Sequence, residues 1–210
     1  MLASFDDARR WRALIGSLEN YTCTHSAFRI VGNRLLTGGE CPLDSAFLRA
    51  SRLAPEGVSL ASSEPLPALE NRNVLFIAQV GGSVFVGVAG GLLRSTDGAL
   101  SFRFVIRQRL DGPNYPYKGS LLARRNRPDS VLAAGFDKAN GKPCLAVSTN
   151  GGARWTDVSR SLPGYERTGF EGTSEVTSLI QDPLGRIVLT LNLDQAAPGR
   201  LVLLTLAGVD

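Results

Sequence analysis

The sequence predicts an all-β fold built from repeated four-stranded units, and three observations lead there. Short apolar runs alternate with turns rich in Gly, Asn, Asp and Pro, which is the pattern of strands rather than helices. An eight-residue motif of the form S-x-D/N-x-G-x-x-W recurs along the chain: SFDDARRW at 4–11, STDGALSF at 95–102 and STNGGARW at 148–155. A degenerate copy at 51–58 keeps the preceding strand, with Phe47-Leu48-Arg49-Ala50-Ser51 matching Cys144-Leu145-Ala146-Val147-Ser148, but loses the acidic residue and the aromatic. The motif serines are Ser4, Ser51, Ser95 and Ser148. A period of about forty to fifty residues means one supersecondary unit per repeat, and propeller blades have that size.

The repeats lay out in order. The second is expected to form strands at Val74–Ala78, Ser83–Ala89, Leu92–Ser95 and Phe102–Ile106, and the third at Leu121–Arg125, Ser130–Phe136, Cys144–Ser148 and Trp155–Ser159. The fourth supplies Val176–Ile180, Arg186–Asn192 and Leu201–Leu206 and stops one strand short. Arg10–Ile15 resembles the outer strand of the third repeat. The expected architecture is therefore a single domain over 1–210, a small β-propeller of about four blades of four antiparallel strands. Its ring would close by pairing the N-terminal outer strand with the C-terminal blade, protecting both edges. A fragment, or one subunit of a larger composite ring, is the rival reading.

The motif resembles the Asp-box, or BNR, repeat of sialidase-like β-propellers, and the resemblance is closer to non-catalytic members than to true sialidases. It implies that each box sits on the turn between the third and fourth strands of a blade and is structural there. A short Asp or Asn accepts hydrogen bonds from its own turn, Gly allows positive φ, and the closing aromatic packs into the blade. Ser4, Asp6, Trp11, Ser95, Asp97, Phe102, Ser148, Asn150 and Trp155 are thus expected to hold the fold rather than to catalyse. The family's catalytic set needs three arginines, a tyrosine with a glutamate, and an aspartate. Phe28-Arg29-Ile30-Val31 resembles its first arginine motif without the proline, yet repeat alignment sets Arg29 opposite Asp182, in a turn on the box side.

Recognition is expected at the opposite end, on the loops that join blades. All four tyrosines fall there: Tyr21, Tyr115, Tyr117 and Tyr165, with Lys118, Arg167 and Phe170 beside them. Aromatics next to charges on loops of a rigid scaffold suit protein or sugar recognition. For Tyr21 and Tyr165, which share one repeat position, packing on the neighbouring blade is the competing role. The favoured function is a non-catalytic binding or assembly module that docks a protein partner; lectin-like carbohydrate binding is the alternative, and a sialidase-like hydrolase comes third.

Composition narrows the field further. With 43% hydrophobic and 20% charged residues, the 210-residue chain can bury a full core. No apolar run reaches the roughly twenty residues of a membrane span. The start of the chain lacks a basic-then-apolar leader, which leans away from export, whereas the family resemblance leans extracytoplasmic. Cys23, Cys41 and Cys144 have no CxxC spacing and His25 is the sole histidine, so neither metal nor other cofactor is expected. His25 falls on an expected inner strand, a structural place. Cys23 and Cys41 could pair, or all three could be buried thiols.

Among 23 basic residues only Lys118, Lys138 and Lys142 are lysines. Arg9, Arg10, Arg12, Arg103, Arg107 and Arg109 fall on expected outer strands, and Arg124, Arg125 and Arg127 end an inner one. Charges on outer edges oppose sheet-to-sheet pairing, and clusters along a rim could meet an acidic partner or an anionic surface. Nucleic acid is not expected, because lysines are scarce and 19 acidic residues nearly balance the basic ones.

Overall fold

The computed structural model describes residues 2–3, 9–10, 12–13, 24–41, 45–54, 57–58, 64–65, 72–107, 120–137, 142–162, 165, 175–192 and 200–204. The described chain is built from antiparallel strands, with one short 3-10 turn at Ser159–Ser161. Strands β1 (Leu2–Ala3) and β2 (Arg12–Ala13) form a two-stranded hairpin. The first large sheet holds β3 (Thr24–Val31), β4 (Arg34–Cys41), β5 (Ser45–Ala54) and β6 (Gly57–Val58), with β7 (Glu64–Pro65) also paired to β5. The second holds β8 (Val74–Val80), β9 (Ser83–Val88), β10 (Gly91–Ser95) and β11 (Arg103–Arg107). In the third are β12 (Ser120–Arg124), β13 (Arg127–Asp137), β14 (Lys142–Ser148) and β15 (Thr156–Asp157). The fourth has β16 (Glu175–Gln181), β17 (Ile187–Asn192) and β18 (Arg200–Leu204).

Every large sheet is a meander in chain order, as the repeat pattern predicts, with strand ends within a few residues of expectation. Tight turns account for the hairpins. Gly32-Asn33 joins β3 to β4 and Gly81-Gly82 joins β8 to β9, with φ of 58° and 55° at the first glycine of each pair. Glycine adopts such backbone without the steric penalty a Cβ brings. In a meander the first-to-second and third-to-fourth connections share one end of the sheet. The box turns and these tight hairpins therefore lie at one end, and each sheet's last strand ends at the other.

Packing follows from strands that are apolar on both faces. In β9 every residue is buried: Val84, Val86 and Val88 join a cluster with Ala27, Leu36 and Leu48 of the first sheet, whereas Phe85 joins Ala133, Cys144 and Ala146 of the third. A third cluster, Leu132, Leu145 and Val147 with Val176, Leu179 and Leu189, fills the space between third and fourth sheets. Each cluster thus occupies one interface between consecutive sheets. The inner strands keep that order too, β8 lying against β3 on one side and β12 on the other, and β12 against β16.

Two features differ from the expected layout. The described N-terminal strand β2 pairs with β1, and β18 pairs with β17, so the expected closure by an N-terminal strand on the C-terminal sheet is not what the described strands form. The degenerate repeat differs as well. Where the box is lost, Ala54 pairs with Gly57, and the outer edge of β5 is shared between β6 and β7.

Close approach between the first two sheets depends on Gly38. A Cβ there would come within 2.5 Å of Val74 Cγ1 and 2.8 Å of its Cβ. Gly38→Ala should destabilise the protein by about 1–3 kcal/mol through overpacking. Adding Val74→Ala should recover part of that loss, read as a non-additive pair in chemical denaturation.

Candidate functional site

Two copies of the motif are described, and they fold identically, each between the third and fourth strand of its sheet. In the first, Ser95 Oγ donates to Asp97 Oδ1 at 2.6 Å and accepts from the Ala99 amide at 2.9 Å. Asp97 Oδ1 then accepts from the amides of Leu100 and Ser101, both at 3.0 Å. In the second, Ser148 Oγ donates to Asn150 Oδ1 at 3.0 Å and accepts from the Gly152 amide at 2.8 Å; Asn150 Oδ1 accepts from Ala153 and Arg154 at 3.1 and 2.8 Å. Asn150 replaces Asp97 because the turn needs a short side-chain acceptor rather than a charge.

Backbone strain is shared as well. Gly98 and Ala99 have φ of 72° and 67°, and Gly151 and Gly152 have 65° and 79°. Ala99 is a non-glycine residue in the left-handed region, and its fully buried methyl packs in the first cluster. Gly152 has no such freedom, because a Cβ there would collide with the Phe85 ring.

Each box also fastens its sheet to the preceding one. Trp155 meets Phe85 edge-on, ring centroids 6.4 Å apart at 87°, while its Nε1 donates to the Gly152 carbonyl at 3.0 Å. Phe102 packs against the cluster shared with the first sheet. From that sheet Arg34 reaches over to donate to the Ala99 carbonyl at 3.1 Å. Arg94 holds the corresponding place one sheet on, beside Gly151, with Nε donating to Ser83 Oγ at 3.2 Å. The serines, carboxylate and carboxamide of both boxes are therefore consumed by the turn, as their structural assignment requires. The first copy, with Ser4, Asp6 and Trp11, lies outside the described residues and spans the connection between β1 and β2.

Charge on Asp97 is strongly favoured. The Ser101 hydroxyl, then the Ser95 hydroxyl and the Ser101 and Leu100 amides, hold its carboxyl far below the ordinary carboxylate range against a small opposing effect of desolvation. At the turn between β16 and β17, desolvation raises Asp182, but hydrogen bonds from Arg186 Nε at 2.6 Å and its amide at 2.9 Å, with the Arg186 charge, bring it below its usual value.

Of the residues expected at the recognition end, Tyr165 is described. It is half-buried against the cluster of the third and fourth sheets, its amide donating to Leu162 O at 3.1 Å, with Lys142 Nζ 4.4 Å from its ring centre. Tyr165 thus packs on its sheet, the competing role weighed for it in the sequence. Tyr21, Tyr115, Tyr117, Lys118, Arg167 and Phe170 lie outside the described residues, as do Cys23 and Arg109. Cys144 is buried between the second and third sheets. Arg29 is placed within β3, opposite Leu36, and not in the turn; the turn begins later, at Gly32. No three His, Cys, Asp or Glu side chains gather into a metal-binding group among the described residues, and no helix there is long and apolar enough to cross a membrane.

Sequence reasoning missed two things here. Ser159 is buried, donating to Asp157 Oδ1 at 2.5 Å and accepting from the Leu145 amide at 2.9 Å, so it ties the outer strand to β14. Cross-strand register also brings arginines face to face: Arg34 opposite Arg52, Arg94 opposite Arg103 and Arg124 opposite Arg127. Chain proximity had already grouped Arg124 with Arg127, but not the members of the other two pairs.

No protein-family model and no curated protein matches the sequence. Similar solved structures include a protein of unknown function from Dyadobacter fermentans, at TM-score 0.49 and 12% identity over 85% of this chain and 59% of that one. The periplasmic gluconolactonase of Pseudomonas aeruginosa gives 0.49 and 13% over 86% and 56%. The extracellular domain of a putative hybrid two-component system from B. thetaiotaomicron gives 0.45 and 14% over 93% and 30%. The chain spans less than two thirds of the length of each of these three.

Three outcomes follow for the described sites. Ser148→Ala strands the buried Gly152 amide and should cost about 1–3 kcal/mol in denaturant unfolding. The Asp97 carboxyl titrates lower in the folded chain than in the unfolded one, so its contribution is complete above about pH 4 and is lost as the pH falls further. Asp97→Asn, which keeps the acceptor, should flatten that acid limb in a series of melts from pH 6 to about pH 2. Tyr165→Ala should lower stability by about 1–3 kcal/mol as a packing loss, with no change in binding of any partner.

Proposed function

We propose that the four large sheets are successive blades of an Asp-box β-propeller of about four blades, and that the protein is a non-catalytic module that docks a protein partner. The docking loops are those joining one blade to the next, with Tyr115, Tyr117, Lys118 and Phe170 as the contact residues, helped by Tyr21 and Arg167. The observation that carries the reading is the closed hydrogen-bonding of the box turns: Ser95, Asp97, Ser148 and Asn150 each satisfy their own backbone and have no part left for chemistry. A packed stack of sheets with the same turn geometry at both described boxes suits a scaffold whose loops recognise a partner.

The test is gentle affinity purification from the native source, with mass spectrometry and native mass determination. A stoichiometric protein partner is expected, and Tyr115→Ala/Tyr117→Ala/Phe170→Ala should abolish its co-purification at unchanged melting temperature, as truncating aromatic anchors does. A lone monomer from every preparation, or hydrolysis of a sialoside by the purified chain, would overturn the reading.

A further inference from the structure

The turn that each box builds needs positive φ directly after its short acceptor, and that demand places a glycine there. Gly98 follows Asp97 with φ of 72°, and Gly151 follows Asn150 with 65°. In the third sheet the outcome is an Asn-Gly step on a turn where Asn150 is exposed. Asn-Gly is the step at which a backbone amide most readily reaches the preceding carboxamide, because glycine has no Cβ to obstruct the approach.

The chemistry open to such a step is cyclisation followed by hydrolysis. The Gly151 nitrogen loses its proton to solvent base and bonds to Asn150 Cγ; the Cγ–Nδ2 bond breaks, and Nδ2 takes up a proton and leaves as ammonia. Water then opens the five-membered imide at either carbonyl, giving aspartate or its β-linked isomer. Water alone is consumed, and nothing is oxidised or reduced.

The closed box opposes the first step. Asn150 Oδ1 is held by three donors, Ser148 Oγ at 3.0 Å, the Ala153 amide at 3.1 Å and the Arg154 amide at 2.8 Å. The nucleophile is engaged as well, since the Gly151 amide donates to the Asp129 carbonyl at 2.8 Å. A hydrogen bond made by the neutral form of a group makes its proton harder to remove. Charges beside the glycine oppose each other: a Cβ there would stand 3.7 Å from Asp129 Oδ1 and 3.8 Å from Arg94 Nη2. Cyclisation therefore has to wait until the turn opens.

The product, by contrast, fits the closed turn. Asp97 holds the same place in the second sheet, its Oδ1 bonded to Ser95 Oγ and to the Leu100 and Ser101 amides, and its Oδ2 to the amide and hydroxyl of Ser101. An aspartate at position 150 meets the same set of amides, with exposed Arg154 in the place of Ser101.

We propose that Asn150 is a deamidation site gated by its own box: inert while the turn is closed, committed when it opens, and returned as an aspartate that the same turn accepts. The modified chain carries one more negative charge at the box end, and the modified fraction records how often this corner of the third sheet has opened.

The experiment incubates the full chain in mildly alkaline buffer, folded and unfolded in guanidinium chloride, and follows aspartate plus isoaspartate at Asn150 by peptide mapping. Fragment spectra separate this site from the other Asn-Gly step of the sequence, Asn140-Gly141. The folded chain should react at least about tenfold more slowly than the unfolded one, each hydrogen bond that must open contributing a factor of about two to ten. Ser148→Ala removes a donor to Oδ1 and the acceptor of the Gly152 amide, and should raise the folded rate about tenfold. Gly38→Ala, a comparable loss of stability at the interface of the first two sheets, should leave it within about twofold, because local openings are separate events. Asn150→Asp should melt within about 3 °C of the parent at neutral pH, as a surface change does. Circular dichroism checks that each variant is folded during incubation, and the comparison of folded with unfolded parent stands without any variant. Equal rates in folded and unfolded parent, no acceleration by Ser148→Ala, or the same acceleration by Gly38→Ala would overturn the gate. A much larger fall in the melting temperature of Asn150→Asp would overturn the acceptance of the product.

Discussion

The constraint on which the rest of the structure depends is that these sheets are apolar on both faces. A sheet with one apolar face can pack once and present its other side to water, but β9, with Val84, Val86 and Val88 on one side and Phe85 on the other, must lie between two neighbours. That requirement makes a stack of sheets, and it explains why the core is divided into three clusters, one per interface, rather than gathered in one centre. Close approach between the first two sheets then selects glycine at Gly38, where a side chain would enter Val74, and within the second sheet Gly87 makes room for the ring of Phe76 on the facing strand.

The box is best understood as the local answer to that constraint. A packed stack needs its sheets held at a set distance and angle, and each described box supplies a corner that reaches the preceding sheet, the first through the Ala99 carbonyl bound by Arg34 and the second through Trp155 on Phe85. Where the motif has decayed, two short strands, β6 and β7, lie along β5 instead. The sheet survives because its inner strands still carry the buried residues Leu36, Leu48 and Ala50. The corner is an added fastening, and burial supplies most of the stability.

The two ends of the sheets divide the functional questions. At one end, strands close to the tight turns bring arginines face to face; the connections with Tyr21, Tyr115 and Tyr117 lie outside the described residues. Tyr165 bridges these categories, being a loop residue in the sequence and a packing residue in the structure, with Lys142 over its ring. It shows how an aromatic in a connecting loop can serve the scaffold when it falls next to a buried leucine such as Leu162.

The all-β class, the strands of the second and third repeats and the structural use of Ser95, Asp97, Ser148 and Asn150 were legible in the residues alone, because alternation, turn chemistry and short-range acceptors act over a few positions. Arg29 in a strand rather than a turn, and β2 paired with β1, were not, since repeat alignment cannot weigh a one-turn shift or a nearer partner. The facing arginines escaped for a deeper reason: Arg34 and Arg52 become neighbours only when strand register brings distant positions together. The sequence by itself determined which segments are strands and how each box closes on its own backbone. The tertiary structure alone decided which charges confront each other and which aromatics are buried, because those depend on contacts between residues far apart in the chain.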